Sequence, residues 1–295
     1  MTDTLLHLSD KIEAVCVALL ENVVDIAARL KIAFFVVGAT ARDMILIHGY
    51  NIQTIQATYD IDLGVQVSDW KEYQRLTNEL MASGHFSKGA EYQKFSYKGI
   101  ADVDILPFGA ISLPDGSLSW PPENEVIMNV LGFEESYRHS LKVRLRNDPI
   151  LDIQFASLAG LVVMKLLAWE NDRASRRKDA QDLSLILQKY LEAGNEDRLY
   201  SEEVDLLEQE HFDYIFAGAR LLGRDVASML SPESQEMILA ILERETREGE
   251  QLKLVEDMVL VDATLIGDSE GDDFEKKLLL LHQFKLGMLD RMRMT

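Results

Sequence analysis

The sequence predicts an α+β fold, in which an N-terminal domain with a small mixed sheet flanked by helices precedes a C-terminal helical domain. Short apolar runs that end in turn residues recur in the first half of the chain, as at residues 32–37, and are typical of strands. From Ser157 onward, apolar residues recur at three- and four-residue steps, which is typical of helices. The turn-forming sequence Asn147-Asp148-Pro149 separates the two patterns, so we expect domains at 1–155 and 156–295.

The first domain is predicted to alternate helices with strands. Apolar residues at helical steps indicate a first helix at 5–30, and the apolar run after it indicates a strand at 32–37. Strict apolar–polar alternation indicates a second strand at 60–67, followed by a helix at 69–82. Pro107 is expected to end the strand that precedes it. The other predicted elements are a short helix at 40–48 and strands at 95–97, 101–106, 125–133 and 141–146.

The second domain is predicted to consist of helices joined by acidic, glycine-containing loops. Its helices are expected at 157–169, 179–192, 201–222, 232–248 and 274–292, and its loops at 193–203 and 266–273. A long loop is also expected in the first domain, at 50–58.

Composition excludes several classes of protein. The chain has 295 residues, with 30 Lys and Arg against 50 Asp and Glu, so its net charge of −20 requires a local basic patch for any nucleic-acid partner. The single cysteine, Cys16, excludes a disulfide scaffold and a cysteine-based zinc site. Neither a signal peptide nor a run of ~20 apolar residues long enough to span a membrane is recognisable. We therefore expect a cytoplasmic protein with no membrane partner.

Three short motifs in the first domain carry groups suited to phosphate chemistry. In the first, a strand turns through Gly38, Ala39 and Thr40 into a helix, whose first backbone N–H groups can hold phosphate oxygens. In the second, Asp60-Ile61-Asp62 places two carboxylates on one strand face, because residues i and i+2 point the same way. In the third, Asp104 lies in another apolar strand.

The crowding of these carboxylates suggests a metal site. Like charges on neighbouring strand positions destabilise a sheet unless a cation neutralises them. Mg²⁺ takes carboxylate and phosphate oxygens, and two such ions can bind the attacking and leaving oxygens of a phosphoryl transfer. Asp60, Asp62 and Asp104 are therefore candidate catalytic residues and ligands of two Mg²⁺ ions. The alternative, ordinary strand-end aspartates facing water, is less favoured once all three motifs occur in order.

A fourth feature lies in the second domain. Lys165 interrupts an otherwise apolar predicted helix, where burial without a partner is costly. Thirteen residues later come Asp179 and Asp182, three apart and so on one helix face. The partner of Lys165 is either a substrate phosphate or one of these carboxylates. The basic residues at 173–178 are either a solvated loop or a contact for a triphosphate or nucleic acid.

The motifs at 38–42, 60–62 and 103–107 together resemble the core of the nucleotidyltransferase superfamily, which has the DNA polymerase β-like fold. With Lys165 and the later Asp-x-x-Asp at 179–182, the closest resemblance is to AbiEii-type nucleotidyltransferases of toxin–antitoxin and phage-defence systems. The resemblance covers about residues 34–107 and 157–190, and no family resemblance is recognised over 200–295.

The resemblance implies a magnesium-dependent enzyme that transfers a nucleoside monophosphate from an NTP to an acceptor hydroxyl and releases pyrophosphate. The acceptor would be tRNA or protein, and an antitoxin is an implied partner. Asp60 and Asp62 would hold both ions, while Asp104 would complete the site and take the proton of the attacking hydroxyl. The residues implied to bind the nucleotide are Gly38, Ala39, Thr40, Lys165, Asp179 and Asp182.

Three alternatives stay open on the sequence alone. In the first, the chain uses this scaffold only for binding or regulation, since fold does not guarantee chemistry. In the second, it adenylylates a small molecule, as antibiotic-resistance enzymes do, and its negative charge would suit a cationic acceptor. A resemblance to CCA-adding tRNA nucleotidyltransferases is weaker, because their later Arg-Arg-Asp strand motif has no counterpart.

Overall fold

The computed structural model describes residues 5–54, 60–122, 125–208, 212–259 and 270–292. The chain divides into two compact units, Met1–Leu161 and Val162–Thr295. The predicted loops at 50–58 and 266–273 lie partly outside the described residues.

The first unit combines a mixed sheet with helices. Its strands are β1 (Leu5–His7), β2 (Ala33–Val37), β3 (Ile61–Gln66), β4 (Phe86–Lys88), β5 (Lys94–Tyr97), β6 (Ala101–Phe108), β7 (Ser117–Ser119), β8 (Ile127–Asn129), β9 (Leu141–Asn147) and β10 (Ile150–Phe155). Its helices are α1 (Ala14–Leu30), α2 (Gly38–Asp43), which continues as a π-helical segment over Met44–Gly49, α3 (Trp70–Ala82) and α4 (Phe133–Arg138).

Eight of these strands form one sheet in the order β1-β9-β10-β2-β3-β6-β5-β4, while β7 and β8 pair separately. The pairs β1–β9, β10–β2 and β3–β6 are parallel, and the other neighbours in the sheet are antiparallel. The sheet is therefore mixed, which confirms the predicted fold class. Strands β2, β3 and β6 lie near its centre, so Asp62 on β3 and Asp104 on β6 lie on strands that are paired on both sides.

Several predicted boundaries in this unit are wrong. The predicted helix at 5–30 begins only at Ala14, because Leu5–His7 pairs with β9 as strand β1 and Asp10 adopts a left-handed φ of 65°. Pairing with a strand far along the chain overrides the local apolar periodicity here. The predicted strand at 125–133 contains only β8, after which Gly132 starts a helix.

Strand β6 continues through Pro107, which was expected to end it. The backbone N–H of Ile105 donates to Gln93, at the end of the β5 pairing. Two residues later, the Pro107 nitrogen faces the same side, where β5 no longer pairs with β6. The strand therefore loses no inter-strand hydrogen bond at Pro107, although proline has no N–H.

The second unit is helical, as predicted. Its helices are α5 (Leu158–Asn171, which begins in the first unit), α6 (Arg177–Lys189), α7 (Tyr214–Met229), α8 (Pro232–Arg244), α9 (Lys253–Val259) and α10 (Glu270–Met292). The predicted helix at 201–222 is wrong in its first half: α7 begins after Asp213, whose carboxylate accepts a hydrogen bond from the Phe216 N–H as an N-cap.

Helices α7 and α10 make the closest helix contact of this unit. A Cβ atom at Gly287 would lie 1.9 Å from the backbone oxygen of Arg220, so only glycine allows this approach. Phe284 is fully buried at the contact, and a Cβ atom at Gly223 would lie 2.1 Å from its backbone oxygen. Arg220 and Arg224 flank it with ion pairs to Asp290, both at 2.8 Å. In the described ranges, none of the helices is both long and apolar enough to cross a bilayer.

Candidate active site

Two of the candidate carboxylates, those of Asp62 and Asp104, lie side by side in one row across the sheet. Asp62 on β3 is the register partner of Asp104 on the parallel strand β6. Val37, the last residue of β2, is the register partner of Asp62 on its other side. Residues paired in this way project from the same face of a sheet, so the two carboxylates lie side by side there.

The turn after β2 brings backbone against Asp62. Gly38 has a φ of 66°, and a Cβ atom built on it would lie 1.9 Å from Asp62 Oδ2. Glycine is required here for both its conformation and its size. Ala39 is half-buried beside it, and the buried Thr40 donates its hydroxyl hydrogen bond to the backbone oxygen of Asp60. The Thr40 hydroxyl therefore ties the turn to the start of β3.

The surroundings of Asp104 disfavour the ionised form of its carboxyl group. Burial raises the pKa of its carboxyl above the ordinary value of 3.8, and the charges of Glu91, Asp60 and Asp102 act in the same direction. The ammonium of Lys94 lowers this pKa, but the net shift is upward. Asp60, exposed at the start of β3, thus acts on Asp104 through its charge. A carboxylate that is half-buried among negative charges is stabilised by a bound cation.

The donor set fits a hard divalent cation in its chemistry, since every candidate ligand is a carboxylate oxygen. Asp62 and Asp104 also fit in placement, because they are adjacent in register on one face. In the part of the chain that the structure describes, however, no three His, Cys, Asp or Glu side chains are grouped closely enough to hold a metal ion. The three-carboxylate site expected from Asp60, Asp62 and Asp104 is therefore not closed in this structure.

Sequence reasoning missed Lys94 as a member of this row. Lys94 on β5 is the register partner of Asp104, so the row continues with a cation on the third strand. The turn has three residues, 98–100, which pairs Tyr97 with Ala101 and Lys94 with Asp104. A two-residue turn at Lys98-Gly99 would pair Lys94 with Val103 instead, so the turn sequence alone does not reveal this partner.

The second unit brings together the other group of predicted residues. The ammonium of the buried Lys165 lies 2.9 Å from Asp179 Oδ1 and 2.6 Å from Asp182 Oδ2. Burial alone would lower the pKa of Lys165, but the two carboxylates outweigh it and hold that pKa above its ordinary value of 10.5. Of the two partners left open by the sequence, the structure shows the ion pair, and with both aspartates.

The basic residues before α6 divide into two groups. Arg173 is bound to Asp257, with an Nε–Oδ2 distance of 2.7 Å, and so has a structural partner. Arg176 and Arg177 are more than half exposed, and their ion pairs are long, at 3.9 Å to Asp179 and 3.7 Å to Asp257. Lys178 is exposed as well. These three residues keep most of their charge at the surface.

The comparison with known protein families decides the relationship. Residues 27–264 match the family described as "Nucleotidyl transferase AbiEii toxin, Type IV TA system". The chain belongs to the AbiEii nucleotidyltransferase family. It is therefore a transferase of nucleotidyl groups, as the motifs predicted. The AbiEii match includes both the row of Asp62 and Asp104 and the ion pairs of Lys165.

Solved structures give more distant likenesses to this AbiEii chain. The antibiotic-resistance factor ANT(2'')-Ia is 12% identical with a TM-score of 0.34, covering 67% of this chain and 100% of its own. A CCA-adding enzyme in complex with ATP is 15% identical with a TM-score of 0.32, covering 91% and 68%. The Thermotoga maritima CCA-adding enzyme with tRNA is 11% identical with a TM-score of 0.30, covering 97% and 83%. Similarity this low supports no conclusion about substrate, and no curated protein matches the chain.

Proposed function

We propose that this chain transfers a nucleoside monophosphate from an NTP to an acceptor hydroxyl on tRNA or protein, as the toxin of a toxin–antitoxin or phage-defence system. The observation that carries the proposal is the register pairing of Asp62 with Asp104 beside the Gly38 turn, in a chain of the AbiEii family. The family description also supports an antitoxin as a partner.

Asp62 and Asp104, together with Asp60, would hold Mg²⁺. When bound, the cation would offset negative charge on the phosphates and lower the pKa of the attacking hydroxyl. In the transfer, the acceptor oxygen forms a bond to the α-phosphorus, and the bond from that phosphorus to the bridging oxygen of pyrophosphate breaks. The proton of the acceptor hydroxyl passes to the carboxylate of Asp104.

The backbone N–H groups of Gly38 and Ala39 would face the β- and γ-phosphates, since they begin a helix beside Asp62. Thr40 contributes by holding the turn to Asp60 rather than by offering its own hydroxyl. These contacts would place the triphosphate against the carboxylate row, which is the arrangement that transfer requires.

Lys165, Asp179 and Asp182 would form the nucleotide-binding group of the second unit. The two ion pairs fix both carboxylates on one face of α6. A carboxylate held in this way can accept hydrogen bonds from ribose hydroxyls or from base amino groups. Lys165 would then act by positioning the two aspartates.

The exposed cations Arg176, Arg177 and Lys178 favour a polyanionic acceptor, because they form a basic patch on an otherwise acidic chain. This observation makes tRNA the first acceptor to test and protein the second.

A labelling experiment tests the proposal. The purified chain is incubated with each of the four α-³²P-labelled NTPs, total RNA and cell extract protein, with Mg²⁺ or with EDTA. We expect one fraction to become labelled, dependent on Mg²⁺, and no label with Asp62→Asn or Asp104→Asn. Transfer that survives Asp104→Asn would contradict the assigned site, and label on neither RNA nor protein would contradict the assigned acceptor.

A further inference from the structure

We propose that Lys94 contacts the reacting α-phosphate during transfer and leaves its present partner, Glu91, to do so. This inference deepens the proposed function and rests on it. It would make Lys94 a catalytic residue that none of the sequence motifs contains.

Strand register places Lys94 beside the reaction site. β3, β6 and β5 are consecutive in the sheet, and Asp62, Asp104 and Lys94 occupy one row across them. Register partners project from the same face, so the lysine stem rises next to the carboxylate of Asp104. A lysine side chain has four rotatable methylene groups and can therefore reach over its neighbour toward a bound phosphate.

The present partner of Lys94 holds it weakly. Within the described residues, the Lys94 ammonium makes its ion pair with Glu91, at 3.2 Å, and not with Asp104. The two side chains are 42% and 58% exposed, and exposed pairs contribute only about 0–1 kcal/mol. The Lys94 ammonium can therefore exchange Glu91 for a phosphate oxygen with little loss of interaction free energy.

The charges of the row also favour this exchange. Of the charged groups, Lys94 has the largest effect on the pKa of Asp104. The hydrogen bond that Lys94 donates to Glu91, followed by the charge of Asp104, raises the pKa of Lys94. Lys94 is therefore protonated at neutral pH. A nucleotide brings further negative charge to a row of two carboxylates, and the ammonium is placed to offset it.

The chemistry of transfer needs such a group. As the acceptor oxygen attacks and pyrophosphate leaves, charge is spread over the non-bridging oxygens of the α-phosphate. A cation aimed at those oxygens stabilises the transition state more than the ground state, and so raises kcat. Glu91 keeps the ammonium close to this position before the nucleotide binds.

The test compares the full-length wild type with Lys94→Met and Lys94→Arg. We expect Lys94→Met to lower kcat by about 10- to 100-fold with little change in the KM for NTP. Lys94→Arg should recover part of the loss, because it retains the charge. Lys98→Met is the matched control: Lys98 is an exposed lysine at the turn of the same hairpin and should leave kcat unchanged.

A second measurement separates contact with phosphate from a structural effect. The two α-phosphorothioate diastereomers of the NTP each replace one non-bridging oxygen with sulfur. In the wild type, one diastereomer should react more slowly because sulfur accepts the Lys94 hydrogen bond poorly. In Lys94→Met this selectivity should shrink by about the same 10- to 100-fold factor as kcat, while the thermal unfolding midpoint stays near that of the wild type.

The outcomes distinguish the two proposals. If the wild type transfers but Lys94→Met keeps its kcat and diastereomer selectivity, the Lys94 inference is overturned and the proposed function stands. A loss of kcat with unchanged selectivity also overturns it, since the phosphate contact is then absent. Failure of the wild type to transfer any nucleotide would remove both proposals.

Discussion

A Cβ atom at residue 38 would fall 1.9 Å from the Oδ2 atom of Asp62, so the glycine backbone and the aspartate carboxylate occupy adjoining space. The backbone that follows β2 therefore packs directly against the Asp62 side chain of β3. The position of the Asp62 carboxylate depends on the absence of a side chain at Gly38.

We predict that Gly38→Ala lowers transfer by at least about 100-fold, because the new methyl group displaces the Asp62 carboxylate by more than the tolerance of a catalytic group. Gly99→Ala is the matched control. Gly99 has nearly the same φ, 68° against 66°, but nothing lies within 4 Å of its Cβ position. Both variants should lose about 1–2 kcal/mol of stability from left-handed strain, measured by urea unfolding. Equal activities for the two variants would contradict this explanation.

Asp104→Asn should abolish transfer and yet stabilise the fold. The folded-state pKa of Asp104 is raised, so its ionisation opposes folding: the penalty is absent below pH 3.8 and complete above the raised pKa. Removing one of two like charges in adjacent register should add about 0.2–1 kcal/mol at pH 7. Chemical denaturation and nucleotide transfer, measured on the same preparations, check both effects. Asp102→Asn, exposed on the same strand face, should retain transfer.

Lys165→Met should strongly destabilise the second unit, because it removes the ammonium that the largely buried carboxylates of Asp179 and Asp182 both contact. Breaking a buried ion pair on one side costs about 3–5 kcal/mol. The triple variant Lys165→Met, Asp179→Asn, Asp182→Asn should recover most of this loss, since no buried charge is left unpaired. Urea unfolding measures both, and a triple variant no more stable than the single one would show that the ion pairs are not the cause.

Acid should lower the free energy of unfolding of the second unit, because it protonates Asp257. Burial raises the pKa of this carboxyl, but the hydrogen bonds from Arg173 and Trp169 outweigh burial, and the net pKa is lowered. Because the pKa of Asp257 is lower in the folded than in the unfolded state, its ionisation stabilises the folded state at pH values above 3.8. This stabilisation is lost as the pH falls through the lowered pKa. Asp257→Asn should therefore cost about 3 kcal/mol at pH 7 and progressively less below pH 3.8. A constant difference between pH 7 and pH 3, measured by tryptophan fluorescence in urea, would count against this assignment.

The central strands were predictable because their signals are local. The alternation around Asp62 and the apolar runs of β2 and β6 fix which residues face the core. The Asp-x-Asp spacing predicts a shared face for Asp60 and Asp62, and this stays a prediction, because Asp60 lies before the first residue of β3. Lys94 was not predictable in the same way, because the hairpin turn has three residues rather than the two of Lys98-Gly99, which shifts the register by one residue.

The elements that were missed depend on distant partners. Nothing in the sequence of Leu5–His7 indicates that it adds to β9, some 135 residues later, and the apolar pattern around it matches a helix equally well. The double ion pair of Lys165 was only one of two open possibilities, because spacing places two aspartates on a helix face without showing which residue that face meets.

The close crossing of α7 and α10 at Gly287 has a consequence for synthesis. Helix α7 emerges from the ribosome before α8, α9 and α10, so the part of α7 that packs on α10, around Arg220 and Gly223, has no permanent cover until α10 has been translated. At about 5–20 residues per second, the nascent chain spends several seconds in this state. A prematurely terminated polypeptide lacking α10 would expose that surface, which favours its capture by chaperones or proteases over the release of a partly assembled transferase.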